Sequence, residues 1–214
     1  TPMEEIMETL DILVRQGKIL YTACSNIFGW QVAKAMEIAK RGGGAGFACG
    51  QYLYNLIQRD VEAEVFPAMI DYGVGILSWS PLGGGLLTGK YRGMEKPPAG
   101  SRLEARMKVD GPRFWHEKGF RTAEKLQAVA DETKIPMAKL AVAWPLTRRF
   151  LSSVIIGVKN LSQLEENLAA GDWEMPEDIR NRLDEITSPE KDYLWWFNET
   201  NYKRFADSAE FLFP

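Results

Sequence analysis

Short runs of β-forming residues alternate with helix-periodic segments along this chain, and that alternation limits it to a parallel α/β architecture. Ile6, Leu10, Leu13 and Val14 recur at helical spacing, behind a capping-box pattern at Thr1-Pro2-Met3-Glu4 and ahead of a stop at Gly17. A β-rich run from Ile19 to Cys24 follows and ends in Ser25-Asn26. Trp30 to Lys40 reads as a helix broken by Gly42-Gly43-Gly44, and Phe47 to Gln51 as a short buried strand. Asp60 predicts the cap of a helix on Val61, Val65 and Met69 that Gly73 stops, and Val74 to Ser78 is the third strand. The stretch from about Pro81 to Phe120, rich in Gly, Pro and Arg, reads as one long irregular connection. Beyond it, helices are predicted over Thr122 to Thr133 and Met137 to Arg148, and a fourth strand over Ser153 to Val158. A capping box at Ser162 and Glu165 and a proline start at Pro176 open the last two helices. The tail from Tyr193 is crowded with aromatics.

Parallel strands need right-handed crossovers, which place the helices against the sheet and the functional residues at the strands' C-terminal ends. A closed (β/α)₈ barrel needs eight strands, and four are read here. A four-stranded parallel sheet with helices on one face leaves open edges and an exposed face. The expectation is therefore half a barrel, completed by an N-terminal segment, a second copy of the chain or another polypeptide.

Composition narrows the function. With 214 residues and 45% hydrophobic content the chain supports one sizeable core and at most two domains. A net charge of −3 without a basic stripe argues against nucleic acid as a partner. The longest apolar runs, such as Ala138 to Leu146, fall short of a bilayer span, and no secretory signal is visible at Thr1. Cys24 and Cys49 read as free thiols in a reducing compartment, so the expected location is cytoplasmic. One histidine and two cysteines with 24 residues between them make no zinc pattern, and no metal is expected.

The chemistry-bearing residues follow the strands. Ser25-Asn26 closes the first, Gln51 the second, Trp79-Ser80-Pro81-Leu82 the third and Gly157-Val158-Lys159 the fourth. Gly83-Gly84-Gly85 then leads to Gly89-Lys90, where glycines let backbone N–H groups approach a phosphate and lysine adds charge. Gly84, Gly89 and Lys90 satisfy the opening of the P-loop pattern, but Tyr91 stands where a magnesium-binding Ser or Thr is needed. That argues against a nucleoside triphosphatase.

The segment Trp79-Ser80-Pro81-Leu82-Gly83-Gly84-Gly85-Leu86-Leu87-Thr88-Gly89-Lys90-Tyr91 resembles the aldo-keto reductase block [YW]-S-P-L-x-x-G-x-L-[TS]-G-K-Y. Cys24-Ser25-Asn26 resembles the family's G-x-S-N block, with Ala23 where glycine is common. Gln51-Tyr52-Leu53-Tyr54-Asn55 resembles Q-x-x-Y-N. Ile155 to Lys159, with Gln163-Leu164-Glu165-Glu166-Asn167, resembles the glycine-lysine and Q-L-x-E-N block. The four blocks stand in order and cover nearly the whole chain, and the long connection after the third strand is similar to that of bacterial aldo-keto reductases and potassium-channel β-subunits.

The resemblance implies an NADP(H) site. Ser25, Asn26 and Gln51 would hold the nicotinamide carboxamide, and Trp79 would stack on the ring, the alternative for Trp79 being a core aromatic. Ser80, Pro81, Leu82, Gly84 and Lys90 would line the pyrophosphate. Arg102 and Lys159, beside Gly157, would meet the adenosine 2′-phosphate, and Gln163, Glu166 and Asn167 the adenosine. It also implies a half-barrel with NADP(H)-binding loops over residues 1–188 and an aromatic C-terminal tail over 189–214 that packs across the barrel or the substrate mouth. The family's Tyr, Lys, Asp and His catalytic residues come from the first half of the barrel, so no catalytic residue is assigned in this chain, and His116 is read as a loop residue. The implied activity is NADPH-dependent reduction of an aldehyde or ketone by the complete protein, with this chain alone inactive. A non-catalytic NADP(H)-binding regulatory or sensor subunit, an inactive truncated half-barrel and a homo-oligomer stay open as alternatives.

Overall fold

The computed structural model describes residues 1–91, 93–190 and 193–197. Four strands, β1 (Thr22–Ser25), β2 (Phe47–Leu53), β3 (Gly75–Trp79) and β4 (Leu151–Ile155), form one parallel sheet in the order β1-β2-β3-β4. The helices between them are α1 (Met3–Arg15), α2 (Gly29–Gly42), α3 (Val65–Asp71), α4 (Arg102–Ala105), α5 (Met107–Phe114), α6 (Glu117–Thr133), α7 (Met137–Leu146), α8 (Leu161–Gly171) and α9 (Glu177–Ile186). This is an α/β fold whose four parallel strands are consistent with part of a (β/α)₈ barrel. Two compact units divide the chain: Thr1–Tyr52 with Asp60–Leu77 and the segment from Glu190, and Leu53–Arg59 with Ser78–Pro189.

In the first unit, alternate residues of β1 and β2 face opposite ways. Thr22, Cys24, Phe47, Gly50 and Tyr52 are buried, whereas Ala23, Ser25, Ala48 and Gln51 are exposed. Phe66 and Met69 of α3 pack on Tyr52 and beside Gly50, and Met7 of α1 and Val32, Ala35 and Ala39 of α2 are buried in the same unit. The larger of these side chains, Met7, Val32, Phe66 and Met69, each contribute roughly 1.5–3 kcal/mol if fully removed from water. Gly50 is fixed by this packing: a Cβ there would stand 2.6 Å from Met69 Cε and 3.0 Å from Cys24 Sγ. The open opposite face is the one expected of a sheet with helices on one side only.

The second unit is built around Trp144, which is fully buried. Tyr54 packs against it with ring centroids 5.1 Å apart, and the guanidiniums of Arg148 and Arg59 lie 4.5 and 5.0 Å from its ring. Its indole Nε1 donates to Asp184 of α9 at 2.8 Å, and the same carboxylate pairs with Arg148. A buried indole needs such a partner, and this bond ties α7 to α9.

Several sequence expectations are corrected. The stretch from Pro81 to Phe120 is not one irregular connection: it holds a 3₁₀ turn over Gly83–Thr88, then α4, α5 and the start of α6. Ser101 caps α4 by accepting from Glu104 N, and His116 caps α6 by accepting from Gly119 N at 3.2 Å, so His116 is a helix cap and not a loop residue. The capping box at Thr1-Pro2-Met3-Glu4 is absent, because Pro2 itself occupies the cap position and no side chain bonds there. Asn160, not Ser162, caps α8 by accepting from Gln163 N at 2.9 Å. The helix read from Asp60 divides into a 3₁₀ turn over Asp60–Glu62 and α3. In the tail, residues 193–197 are helical with Tyr193, Leu194, Trp196 and Phe197 exposed, and the remainder of the expected tail lies outside the described residues.

Gly119 shows how tightly the start of α6 is set, since a Cβ there would run into the backbone carbonyl of Phe114. Gly119→Ala is expected to lower unfolding stability by about 1–3 kcal/mol, the usual cost of overpacking. Gly42→Ala, at the end of α2 with nothing within 4 Å of the added carbon, should be neutral or stabilising by about 0.4–1 kcal/mol. Chemical denaturation of both variants checks the pair, and equal effects would refute the packing argument.

Candidate functional site

In the first unit the site begins with register. Ser25 of β1 stands opposite Gln51 of β2. The Ser25 hydroxyl donates to the Gln51 carbonyl at 2.7 Å and accepts from Asn26 Nδ2 at 2.8 Å. Asn26 has φ of 55°, a left-handed conformation that asparagine tolerates better than most residues, and it ends the strand abruptly. Ser25 and Asn26 at the end of β1 stand beside Gln51, all three exposed; Gln51 does not close the second strand as expected, because β2 continues to Leu53. Below it, Tyr52 donates to the Ile27 carbonyl at 3.0 Å, with Cys24 Sγ 3.7 Å from its hydroxyl. Burial, the Cys24 contact and Glu64 push the Tyr52 phenol well above its ordinary range. Burial also raises the Cys24 thiol. Neither group is a ready acid or nucleophile near neutral pH. Glu64 closes the start of α2 by accepting from Gly29 N and Trp30 N at 3.3 and 3.0 Å.

In the second unit, Trp79 is half-buried and not a core aromatic, and the Arg113 guanidinium lies 5.2 Å from its ring. Ser80 follows at φ of 58°, held by Asn55, whose Nδ2 donates to the Ser80 carbonyl at 2.8 Å while its Oδ1 accepts from Ile57 N and Gln58 N. Pro81 is buried and Leu82 half-buried. Gly84 and Gly85 have φ of 65° and 97°, conformations open to glycine at little cost. Leu103 and Phe114 press on Gly84 from one side, and the Lys90 side chain passes beside Gly85. Lys90 is exposed, with Nζ 5.0 Å from the Tyr91 ring.

Arg102, in the first turn of α4, is half-exposed, and its Nη1 lies 3.8 Å from where a Cβ on Gly157 would stand. Its Nε is 3.7 Å from the buried carboxylate of Asp110. Gly157 and Lys159 are exposed after β4, and the Lys159 N–H donates to Gln163 Oε1 at 2.9 Å. Gln163 and Glu166 are exposed on α8, but Asn167, four residues from Gln163, is buried. The structure thus gathers Arg102 with Gly157, and Lys159 with Gln163. Sequence reading missed Asn55 and Asp110. The motif position of Asn55 pointed to it, and Asp110 follows Arg102 and Arg106 at helical spacing.

Among the described residues no group of three or more His, Cys, Asp or Glu is placed to hold a metal ion, and no helix is long and apolar enough to cross a membrane.

A parallel α/β sheet carries its polar and glycine-rich segments where such folds generally bind ligands, beyond the strands' C-terminal ends. The Aldo/keto reductase family profile matches residues 1–188, and the chain belongs to that family. It is 35% identical over 186 residues to the uncharacterized oxidoreductase YrpG of Bacillus subtilis, covering 87% of this chain and 54% of that protein. It is 33% identical to human aflatoxin B1 aldehyde reductase member 2, covering 79% and 51% of the two chains. Against a probable voltage-gated potassium channel subunit beta of Arabidopsis thaliana it is 32% identical, covering 80% and 53%. The chain spans about half the length of these relatives.

Burial alone would raise the Asp110 carboxyl, but hydrogen bonds from Arg106 and Arg113 and the charges of Arg106 and Arg102 outweigh it and hold it below its ordinary 3.8. A depressed folded-state pKa adds stability above the unfolded value and loses it as pH falls through the folded one. The wild-type protein is therefore expected to lose stability from about pH 4 downward more steeply than Asp110→Asn. Denaturation midpoints across that range check this, and parallel profiles would refute it.

Proposed function

We propose that the protein is an NADP(H)-dependent oxidoreductase that reduces aldehydes or ketones to alcohols, with this chain supplying the cofactor-binding half of a barrel. The observation that carries the reading is the exposed Ser25–Asn26–Gln51 group on the paired strands β1 and β2, in a chain of the aldo-keto reductase family. A nicotinamide carboxamide presents both donors and acceptors, and two amides beside a hydroxyl match it. The Ser25 proton is committed to the Gln51 backbone carbonyl, so direct recognition falls to the Asn26 and Gln51 amides while Ser25 holds the Asn26 amide in place.

Taken by itself, the second unit carries residues with the chemistry for a nicotinamide ring and for phosphates. Trp79, half-buried with Arg113 at its ring, offers an aromatic surface for the nicotinamide. The Ser80–Leu82 backbone, fixed by Asn55, and the left-handed glycines beside Lys90 suit a pyrophosphate. The exposed cations Arg102 and Lys159 suit a phosphate monoester, and Gln163 and Glu166 the adenosine. When bound, the cofactor supplies the hydride; these residues bind and orient it. The substrate is read as a small aldehyde or ketone, in keeping with the name of the human aldehyde reductase relative. The first test is titration of the purified protein with NADPH and NADH by nicotinamide fluorescence, followed by turnover of an aromatic aldehyde. NADPH-selective binding with turnover supports the reading. Binding without turnover would favour a regulatory subunit, as the name of the plant relative suggests.

Two substitutions test the assignments. Lys159→Glu should weaken NADPH by about tenfold or more and leave NADH within about twofold, because only the former carries the additional phosphate. Equal losses would remove Lys159 from the phosphate site. Trp79→Ala should cost about 1–3 kcal/mol of cofactor affinity, by analogy with base stacking on aromatic side chains. An unchanged dissociation constant would return Trp79 to a packing role.

A further inference from the structure

Three arginines on one face of the α4–α5 segment converge on a single buried carboxylate. Arg102, Arg106, Asp110 and Arg113 are spaced four, four and three residues apart, so helical geometry brings their side chains together. Asp110 is 1% exposed. Its Oδ2 accepts from Arg106 Nε at 2.8 Å, its Oδ1 from Arg113 Nη1 at 3.1 Å, and Arg102 Nε stands 3.7 Å from Oδ2.

Charge counting makes this more than a structural ion pair. One carboxylate neutralises one guanidinium, so the cluster keeps two net positive charges. Three guanidiniums held around one anion also repel one another, which a second anion would relieve. The three arginine side chains are 44, 50 and 39% exposed, so each guanidinium retains donors facing water while sharing the buried oxygens. The cluster also touches two parts of the site. Arg113 lies over the Trp79 ring, and Arg102 reaches the space above Gly157. The Arg113 backbone is fixed in turn, because its carbonyl accepts from Gln58 Nε2 at 2.9 Å and contacts His116 Nε2 at 3.0 Å.

We propose that Asp110 is a positioning residue for cofactor selectivity: its carboxylate gathers Arg102, Arg106 and Arg113 into one cationic cluster, of which the Arg102 and Arg106 guanidiniums recognise a phosphate monoester. This rests on the dinucleotide reading above and extends it, assigning Arg106 to recognition beside Arg102 and Asp110 to their alignment, with Arg113 anchoring the carboxylate from the Trp79 side. An arginine free of Asp110 would sample many rotamers, and binding would then have to order it, which weakens affinity. With Asp110 in place, that ordering is completed during folding.

The test compares wild type, Asp110→Asn, Asp110→Glu and Arg106→Gln by titration with NADPH and NADH, and by competition with adenosine 2′,5′-bisphosphate against 5′-AMP. Asp110→Asn is expected to weaken NADPH and the bisphosphate about tenfold or more while changing NADH and AMP less than about twofold, and Asp110→Glu should recover part of the loss. If Asp110→Asn does not unfold cooperatively, Arg106→Gln, a half-exposed position, carries the test with a loss of about threefold or more confined to the same two ligands. Equal losses for all four ligands, or none, would make the cluster a packing device and overturn the proposal. Wild type that does not prefer NADPH to NADH would overturn the cofactor reading and this proposal together. A preference that survives both substitutions overturns the role of Asp110 alone.

Discussion

Parallel pairing of β1 with β2 is the constraint from which the first half of the site follows. Two parallel strands cannot be joined by a hairpin, so the chain must return along a helix, and α2 makes that return. The return buries one side of the strands against Val32, Ala35 and Ala39 and leaves the other side open. It also brings Ser25 level with Gln51. A register slip of one residue would turn Ser25 and Gln51 toward the helices and bring Cys24 and Gly50 to the open face. Gly50 suits this register on the buried side, where a Cβ would crowd Met69 Cε, Tyr52 and Cys24 Sγ. Fixed register thus converts a packing requirement into a placed pair of polar groups.

Backbone placement matters equally at the end of β3. Ser80 lies in a left-handed conformation that a serine adopts at some cost, and the Asn55 side chain holds its carbonyl. Asn55 is fully buried and commits its acceptor to the turn at Ile57 and Gln58. One buried amide therefore couples the turn after β2 to the segment after β3. The Tyr-Asn pair of that sequence block thereby acquires a physical meaning, since Tyr54 packs on Trp144 while Asn55 bonds the backbone.

The strands and most helices were legible in the sequence because hydrophobic spacing and glycine stops act locally. Gly17, Gly43 and Gly73 all take the left-handed conformations that their positions after helices suggested. The residues that bind segments together were not legible in the same way. His116 and Asn160 became caps, whereas Ser162 bonds Glu166 instead. Glu64 reaches α2 from 35 residues away, and no periodicity reports such a bond. The stretch after β3 looked irregular because Gly111 and Pro112 suppress helical propensity, yet α5 forms around them where Asp110 gathers its arginines. Local i,i+4 and i,i+3 charge pairs accompany the helix there, and the arginine count that suggested a loop in fact marks a cluster.

The glycine-lysine run shows why geometry has to arbitrate between patterns. In a P-loop the lysine is followed at once by a hydroxyl residue and a helix whose N-terminus faces the phosphates. Here Gly83–Thr88 is a 3₁₀ turn, the Thr88 hydroxyl is turned back onto the Gly85 carbonyl at 2.8 Å, and Tyr91 is buried against Trp115. The next helix begins only at Arg102. The spacing of glycines and lysine is shared, but the backbone N–H groups follow a turn and not a helix start. In the reading proposed above, charge for a phosphate then comes from further along the chain, from arginines assembled on Asp110. The same requirement, backbone groups and cations around an anion, is met by a different local fold, and the difference is decided by one residue after the lysine and by a carboxylate twenty residues beyond it.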